Sequence, residues 1–188
     1  MNITAKSFIN EARNYQRYGN YDLAIDSLSN ALLAADYKDF EIDILKLLSF
    51  NYRKIGNRDM ALFHINHALN SLKANRDYLY SKEGQLEFAI CLMNKGVVFE
   101  EAKSLRKAVS CYLQALEIFE NECDTDDDIG LIINALFTIG MLYYEQHDLK
   151  KAQFYLAKAD SYFNNINTPE EDRRYLAIKS ILSEIGDL

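Results

Sequence analysis

Proline occurs once and glycine seven times in 188 residues. Strands need frequent turns, and turns draw on these two residues, so their scarcity excludes a many-stranded sheet and favours long helices. Tryptophan is absent altogether. Positive charge is in the minority: 21 Lys and Arg stand against 28 Asp and Glu, and the net charge of −7 repels a phosphate backbone, which argues against nucleic acid as a ligand. The cysteines Cys91, Cys111 and Cys123 are an odd set without CxxC spacing. They resemble neither a secreted disulfide framework nor a zinc site, and a reducing cytoplasm is the expected location. No apolar run is long enough to span a membrane. The nearest, "IGLIINALFTIGMLYY" at residues 129–144, is 16 residues long, contains Asn134 and Thr138, and is flanked by Asp128 and Glu145. A span takes about 20 residues, so this one reads as a buried core helix. The opening "MNITAKSFINEARNYQ" lacks the unbroken apolar stretch and the small-residue cleavage site of a signal peptide.

What is present is an echo. "RYGNYDLAIDSLSNAL" at residues 17–32 returns as "KIGNRDMALFHINHAL" at 54–69, with further copies in "AKSLRKAVSCYLQAL" at 102–116 and "EQHDLKKAQFYLAKA" at 145–159. In each copy two alanines lie seven apart: Ala24 and Ala31, Ala61 and Ala68, Ala108 and Ala115, Ala152 and Ala159. Seven residues is about two helical turns, so each pair shares a face. A larger residue sits between them on that face: Leu28, Ile65, Tyr112 or Leu156. Small, large, small is a surface that a second helix can approach closely.

The second helix lies upstream in each copy, marked by apolar residues at i, i+4, i+7 spacing. Phe8, Ala12 and Tyr15 precede the first; Leu45, Leu48, Ser49 and Tyr52 the second; Leu92, Gly96 and Phe99 the third; Leu136, Ile139, Gly140 and Tyr143 the fourth. A tiny residue (Ala12, Ser49, Gly96, Gly140) meets the alanine stripe, and an aromatic follows three residues later. Gly19 and Gly56 stand where the first helix must end, because glycine takes the left-handed C-cap conformation at little cost. Lys103 and His147 replace them in the last two copies, so those turns are expected to be strained or differently closed.

These units resemble tetratricopeptide repeats, whose pattern places a small residue and an aromatic on helix A, glycine at the turn and two alanines on helix B. Two departures stand out. No unit has the family's tryptophan or closing proline, and the first alanines are 37, 47 and 44 residues apart instead of 34. Such long repeats resemble those of bacterial peptide-sensing regulators of the Rap and PlcR type and of kinesin light chain. The resemblance implies an all-α fold: an α-solenoid, a right-handed superhelix of four helix-turn-helix repeats, at about 5–36, 37–75, 76–123 and 124–167, in one domain over 1–188. Repeats of this kind cannot bury their apolar faces alone and need a terminal cap. "TPEEDRRYLAIKSILSEIGDL" fits a capping ninth helix at 169–186, with Thr168 as N-cap, Pro169 at the first helical position and Glu171 closing a capping box. Tyr175, Ile178, Leu182 and Ile185 form its apolar stripe.

Catalytic and metal chemistry finds no foothold in the pattern. "DTDDDIG" at 124–130 has alternating Asp124, Asp126 and Asp128, but a calcium loop wants glycine where Ile129 stands and glutamate where Ala135 stands. Asp126, Asp127 and Asp128 instead suit the positive N-terminus of the next helix. His64 and His67 at i, i+3 have no third ligand at metal-site spacing, so they read as a solvent-facing pair. Cys111 reads as an inert packed thiol. There is no phosphate loop and no GxSxG, so no catalytic residue, metal or cofactor is assigned, and an enzyme is not expected.

By resemblance, helix A lines the inner groove. The exposed inner positions are then Arg13, Gln16 and Arg17 in repeat one, Lys46, Phe50 and Arg53 in repeat two, Met93, Asn94 and Val97 in repeat three, and Phe137, Met141 and Tyr144 in repeat four. The first half is basic and the second apolar, which suits an extended acidic peptide with adaptable pockets for its side chains. The alternative for Phe137 and Met141 is a place in the core. The chaperone-type carboxylate clamp wants lysine and asparagine where Ile9 and Arg13 stand, so that ligand is not supported. The reading is a protein-interaction module that acts as scaffold or adaptor and binds a peptide or protein segment. A peptide-responsive regulatory domain and a secretion-type chaperone are the alternatives, with the partner's identity and any homo-oligomer left open.

Overall fold

A computed structural model describes residues 4–34, 36–123, 125–163 and 172–186. The helices are α1 (Ala5–Arg17), α2 (Tyr21–Ala31), α3 (Glu41–Lys54), α4 (Arg58–Ala74), α5 (Arg76–Leu79), α6 (Lys82–Glu101), α7 (Leu105–Glu122), α8 (Asp126–Glu145), α9 (Leu149–Phe163) and α10 (Arg173–Gly186), with a 3-10 turn at Tyr37–Phe40 before α3. No strand occurs among the described residues. The fold is all-α, of the α-solenoid class: four helix-turn-helix repeats followed by a C-terminal helix. It divides into two compact units, Met1–Ser104 and Leu105–Leu188, so the third repeat contributes α6 to one and α7 to the other.

In the first unit the stripes are fully buried. Ala24, Leu28 and Ala31 on α2, and Ala61, Ile65 and Ala68 on α4, have no exposed surface. Ala12 on α1 is equally buried, and Ala5, Ile9, Ile25, Ile44 and Leu48 complete the cluster around it. Ser49, the tiny residue of α3, does more than leave room: its hydroxyl donates to the Ala61 carbonyl of α4 at 2.9 Å. A hydroxyl beside a helix carbonyl satisfies its own buried polar group while holding the two helices in register. Residues upstream of α3 also reach back, since the Asp36 carboxylate accepts the Ala5 N–H at 2.8 Å, one of the N–H groups a helix start leaves unpaired.

The turns show why glycine recurs. Gly19 and Gly56 take φ of 75° and 80°, the left-handed region. Lys103 and His147 adopt the same conformation at φ 59° and 58°, as non-glycine residues that the closing backbone bonds hold in place: Ser104 N–H to Phe99 O at 2.8 Å, Asp148 N–H to Tyr143 O at 3.0 Å. Residues lacking glycine's freedom thus make the same turn under strain.

In the second unit Ile133, Leu136 and Ile139 of α8, Ala152, Leu156 and Ala159 of α9, and Tyr112 of α7 are fully buried, which makes the 129–144 stretch a core helix. The acidic start of that stretch holds too: α8 begins at Asp126, and the Thr125 hydroxyl donates to the Asp128 carboxylate at 2.8 Å. Asp124 and the side chains of Asp126 and Asp127 lie outside the described residues, as do Thr168, Pro169 and Glu171. The last helix is described over Arg173–Gly186, with the Asp172 carboxylate accepting the Arg174 N–H at 2.8 Å. It is the tenth helix and not the ninth, because α5 intervenes. Ile178 and Ile181 are its buried residues, whereas Tyr175, Leu182 and Ile185 are half-buried. Lys179 pairs with Asp160 of α9 at 2.8 Å, and Tyr175 meets Phe163 edge-on.

Candidate protein-interaction surface

Two A helices of the first unit, α3 and α6, bring together residues that are more than forty positions apart in the chain. Lys46, Ser49, Phe50 and Arg53 from α3, with Asn94 and Val97 from α6, line one small cleft of about 40 Å³. Five of these six are among the expected groove positions. Phe50 stays 36% exposed and meets Tyr21 of α2 edge-on, ring centroids 6.2 Å apart. Arg13 and Arg17 are exposed on α1, with Gln16 half-buried beside them. Met93 is a correction: at 9% exposure it faces the core, because it precedes the groove position Asn94 by 100° of helical rotation. In the second unit Phe137, Met141 and Tyr144 are each half-buried on α8. The Tyr144 hydroxyl bonds Glu184 of α10, which raises the phenol's pKa.

The expected basic field is a second correction. Lys46 pairs with Asp43 at 2.9 Å and Glu87 at 2.5 Å; burial opposes its charge, but these two carboxylates outweigh burial and hold the ammonium above its ordinary pKa. Arg53 pairs with Glu101 of α6, and its guanidinium lies 5.3 Å from the Phe50 ring centroid. Two cations on α3 are thus answered by three carboxylates. Only Arg13 and Arg17 keep free charge, with no ion pair among the described residues. The compensating acids sit 41 and 48 positions downstream, so only the register of α6 on α3 reveals them.

His64 overturns the solvent-facing pair. It is 8% exposed on α4, stacked on Tyr52 at 5.2 Å and 9°, with Phe63 edge-on at 5.1 Å; its Nδ1 is buried without a hydrogen-bond partner. His67 remains exposed. Burial, and then the charge of His67, lower the His64 pKa from the ordinary 6.5. An unfolded chain takes up a proton as pH falls through 6.5, whereas the folded His64 resists until lower pH, so stability declines across that window as pH falls. Asp148 and Asp172, held below the usual carboxylate range by Lys151 and Arg174, titrate outside it. Between about pH 7 and about pH 5.5, the Tm of His64→Phe should fall less than that of the unmodified chain. Equal slopes would move the titrating group elsewhere.

Two of the three thiols lie in the core. Cys91 and Cys111 are buried, and burial pushes the Cys91 thiol up to about 12. Among the described residues no three His, Cys, Asp or Glu groups could share a metal, and no helix is long and apolar enough to cross a membrane.

The helix-hairpin geometry, the small-large-small stripes and the left-handed turns define a protein of helical repeats. Residues 87–159 match the model of the tetratricopeptide repeat family. No curated protein matches the sequence. Among solved structures, BtubC (BKLC) from P. vanneervenii superposes with a TM-score of 0.79 at 20% identity, over 97% of this chain and 71% of that one. The apo form of RapI gives 0.77 at 16%, over 97% and 63%. A kinesin light chain-like repeat protein of Podosopora anserina gives 0.73 at 13%, over 100% and 88%. At these identities the likeness is one of fold.

Proposed function

We propose that this chain is a protein-interaction module, a scaffold or adaptor, which holds a segment of a partner against the shared face of α3 and α6. The supporting observation is the cleft: Phe50 and Val97 offer apolar surface, Asn94 an amide, and Arg53 a guanidinium within cation–π range of Phe50. Aromatic and arginine residues around a partly desolvated centre are what binding hot spots are made of. Because Lys46 and Arg53 are compensated, acidic residues of the partner meet Arg13 and Arg17 on α1. The acidic preference of the segment is accordingly carried by one helix.

The test is affinity capture with mass spectrometry to name the partner, followed by calorimetry with two variants. Phe50→Ala should lower affinity about tenfold or more, as truncation of a central aromatic does. Arg13→Glu with Arg17→Glu should lower affinity and flatten or reverse its salt dependence, while Tm stays nearly unchanged because exposed charges contribute little to folding. Binding that ignores Phe50→Ala would place the recognition surface elsewhere, for example at the exposed Phe154 of α9.

A further inference from the structure

A cavity of about 540 Å³ opens in the first unit and shares no lining residue with the α3/α6 cleft. It lies where the spacing between the second and third repeats is long. Between α4 and α6 the chain inserts the short helix α5, and several devices seat it. The Asn75 side chain accepts the Tyr78 N–H at 3.3 Å, the Ser81 hydroxyl accepts the Gly84 N–H at 3.1 Å, and the Gln85 amide donates to the Leu79 carbonyl at 2.8 Å. Gly84 lies so close beneath α5 that a Cβ there would stand 1.9 Å from the Tyr78 carbonyl oxygen. So seated, α5 aims the Tyr78 hydroxyl at Glu87, to which it donates at 3.1 Å. Tyr78 and Asn75 thereby form one wall, opposite the 3-10 turn and the first residues of α3.

The lining is apolar at Phe40, Ile42 and Leu72, and charged around them. Four carboxylates, Asp39, Glu41, Asp43 and Glu87, stand among the lining residues against one ammonium, Lys38, which is engaged with Glu41 at 3.1 Å. Lys46 reaches Asp43 and Glu87 from the cleft side. With it included, four carboxylates answer two ammoniums, so net negative charge remains. A metal ion is not the matching guest, since no three of the described carboxylates could share one. The volume falls within the roughly 300–1,000 Å³ of organic ligand sites. An aliphatic stem ending in a cation matches both halves of the lining: the stem lies along the apolar residues while the head reaches carboxylate oxygens. A guanidinium adds a planar fork for paired oxygens and a flat face for the Tyr78 ring.

We propose that this cavity is a docking pocket for a cationic side chain, arginine by preference, carried on a segment of a protein partner. The pocket and the α3/α6 face are lined by different residues and recognise opposite charge. Lys46 lies between them. A guanidinium that takes over Asp43 and Glu87 releases the Lys46 ammonium toward the cleft, so a partner that fills the pocket with a basic residue strengthens the attraction of the cleft for an acidic one.

The experiment is a heteronuclear NMR titration of the full chain with acetyl-Leu-Arg-Leu-amide, beside the same peptide carrying neutral, isosteric citrulline. The arginine peptide should give saturable amide shifts at Asp39, Ser71, Asn75 and Tyr78, and bind roughly fivefold or more tightly than the citrulline peptide. Asp39→Asn should weaken it roughly threefold, since this exposed carboxylate can be neutralised without unfolding the chain. Glu87→Gln should weaken it further; where loss of the Lys46 and Tyr78 partner unfolds the chain, Asp39→Asn carries the test. Phe50→Ala should leave the titration unchanged, which separates failure of the pocket from failure of the cleft. Equal binding of the citrulline peptide, shifts centred on Phe50, Asn94 and Val97, or no shift at the solubility limit would each overturn the proposal.

Discussion

Leu156→Ala lowers the unfolding free energy by about 2–5 kcal/mol, the range for deleting a fully buried leucine. Leu156 has no exposed surface, sits between the equally buried Ala152 and Ala159, and packs against Gly140 of α8, where no side chain stands. A Cβ built on Gly140 would lie 2.7 Å from both Cγ and Cδ2 of Leu156. Leu156 is fully buried, so any swing away from an added methyl has to displace its packed neighbours. Glycine inside a helix costs roughly 0.5–1 kcal/mol relative to alanine, so on propensity alone Gly140→Ala would stabilise. The contact reverses that sign: Gly140→Ala alone should destabilise. In the Leu156→Ala background the space is open, and the same change should stabilise by about 1 kcal/mol. Urea denaturation of the two single variants, the double variant and the parent measures this coupling. Additive effects would mean that Gly140 does not receive Leu156.

That pair was legible before any coordinates, and the reason is periodic. Two alanines seven apart with Leu156 between them can face only one direction on a helix, and Gly140 upstream is the complementary gap. The turns were legible for a related reason: Gly19 and Gly56 mark a left-handed backbone, and the positions of Lys103 and His147 in register with them identify strained equivalents. Register along one helix, and between neighbours in one hairpin, is written in local spacing.

Features that depend on how one hairpin stacks on another were not legible. Lys46 and Arg53 read as free cations because nothing near them in sequence is opposed to them, while their partners Glu87 and Glu101 come from α6. His64 read as exposed because histidine at i, i+3 from another histidine looks solvent-facing. The ring instead fills the space beside Tyr52, so tertiary stacking decides its burial. Met93 shows the limit of a window: one residue's rotation separates a groove position from a core one, and the stripe defines its direction to no better than that. Five of the six residues that line the cleft are positions that the resemblance assigns to the inner face of helix A, whereas its electrostatics depend on Glu87 and Glu101 of α6.

Gly84→Ala should cost about 1–3 kcal/mol, the range for forced overpacking, and for a chain of this size each kcal/mol lowers Tm by roughly 2–4 °C. The long spacing between Ala61 and Ala108 announced extra chain here, but not what the extra chain does. Gly84 meets α5 through backbone: its added Cβ would stand 1.9 Å from the Tyr78 carbonyl oxygen, 2.7 Å from the carbonyl carbon and 3.0 Å from the Leu79 Cα. No rotamer change relieves those contacts, in contrast to Gly140, where a side chain is the obstacle. Either α5 lifts away or the start of α6 shifts. Both options break the Gln85 bond to Leu79 and the Tyr78 bond to Glu87. Lifting α5 also unravels the segment around Arg76, so trypsin should cut after Arg76 faster in the variant than in the parent under native conditions. Loss of the seated Tyr78 should likewise abolish the difference between arginine and citrulline peptides, although every carboxylate of the pocket is still present. A Gly84→Ala chain with unchanged Tm and an unchanged tryptic pattern would show that α5 does not rest on α6, and the built wall of the pocket would be lost with it.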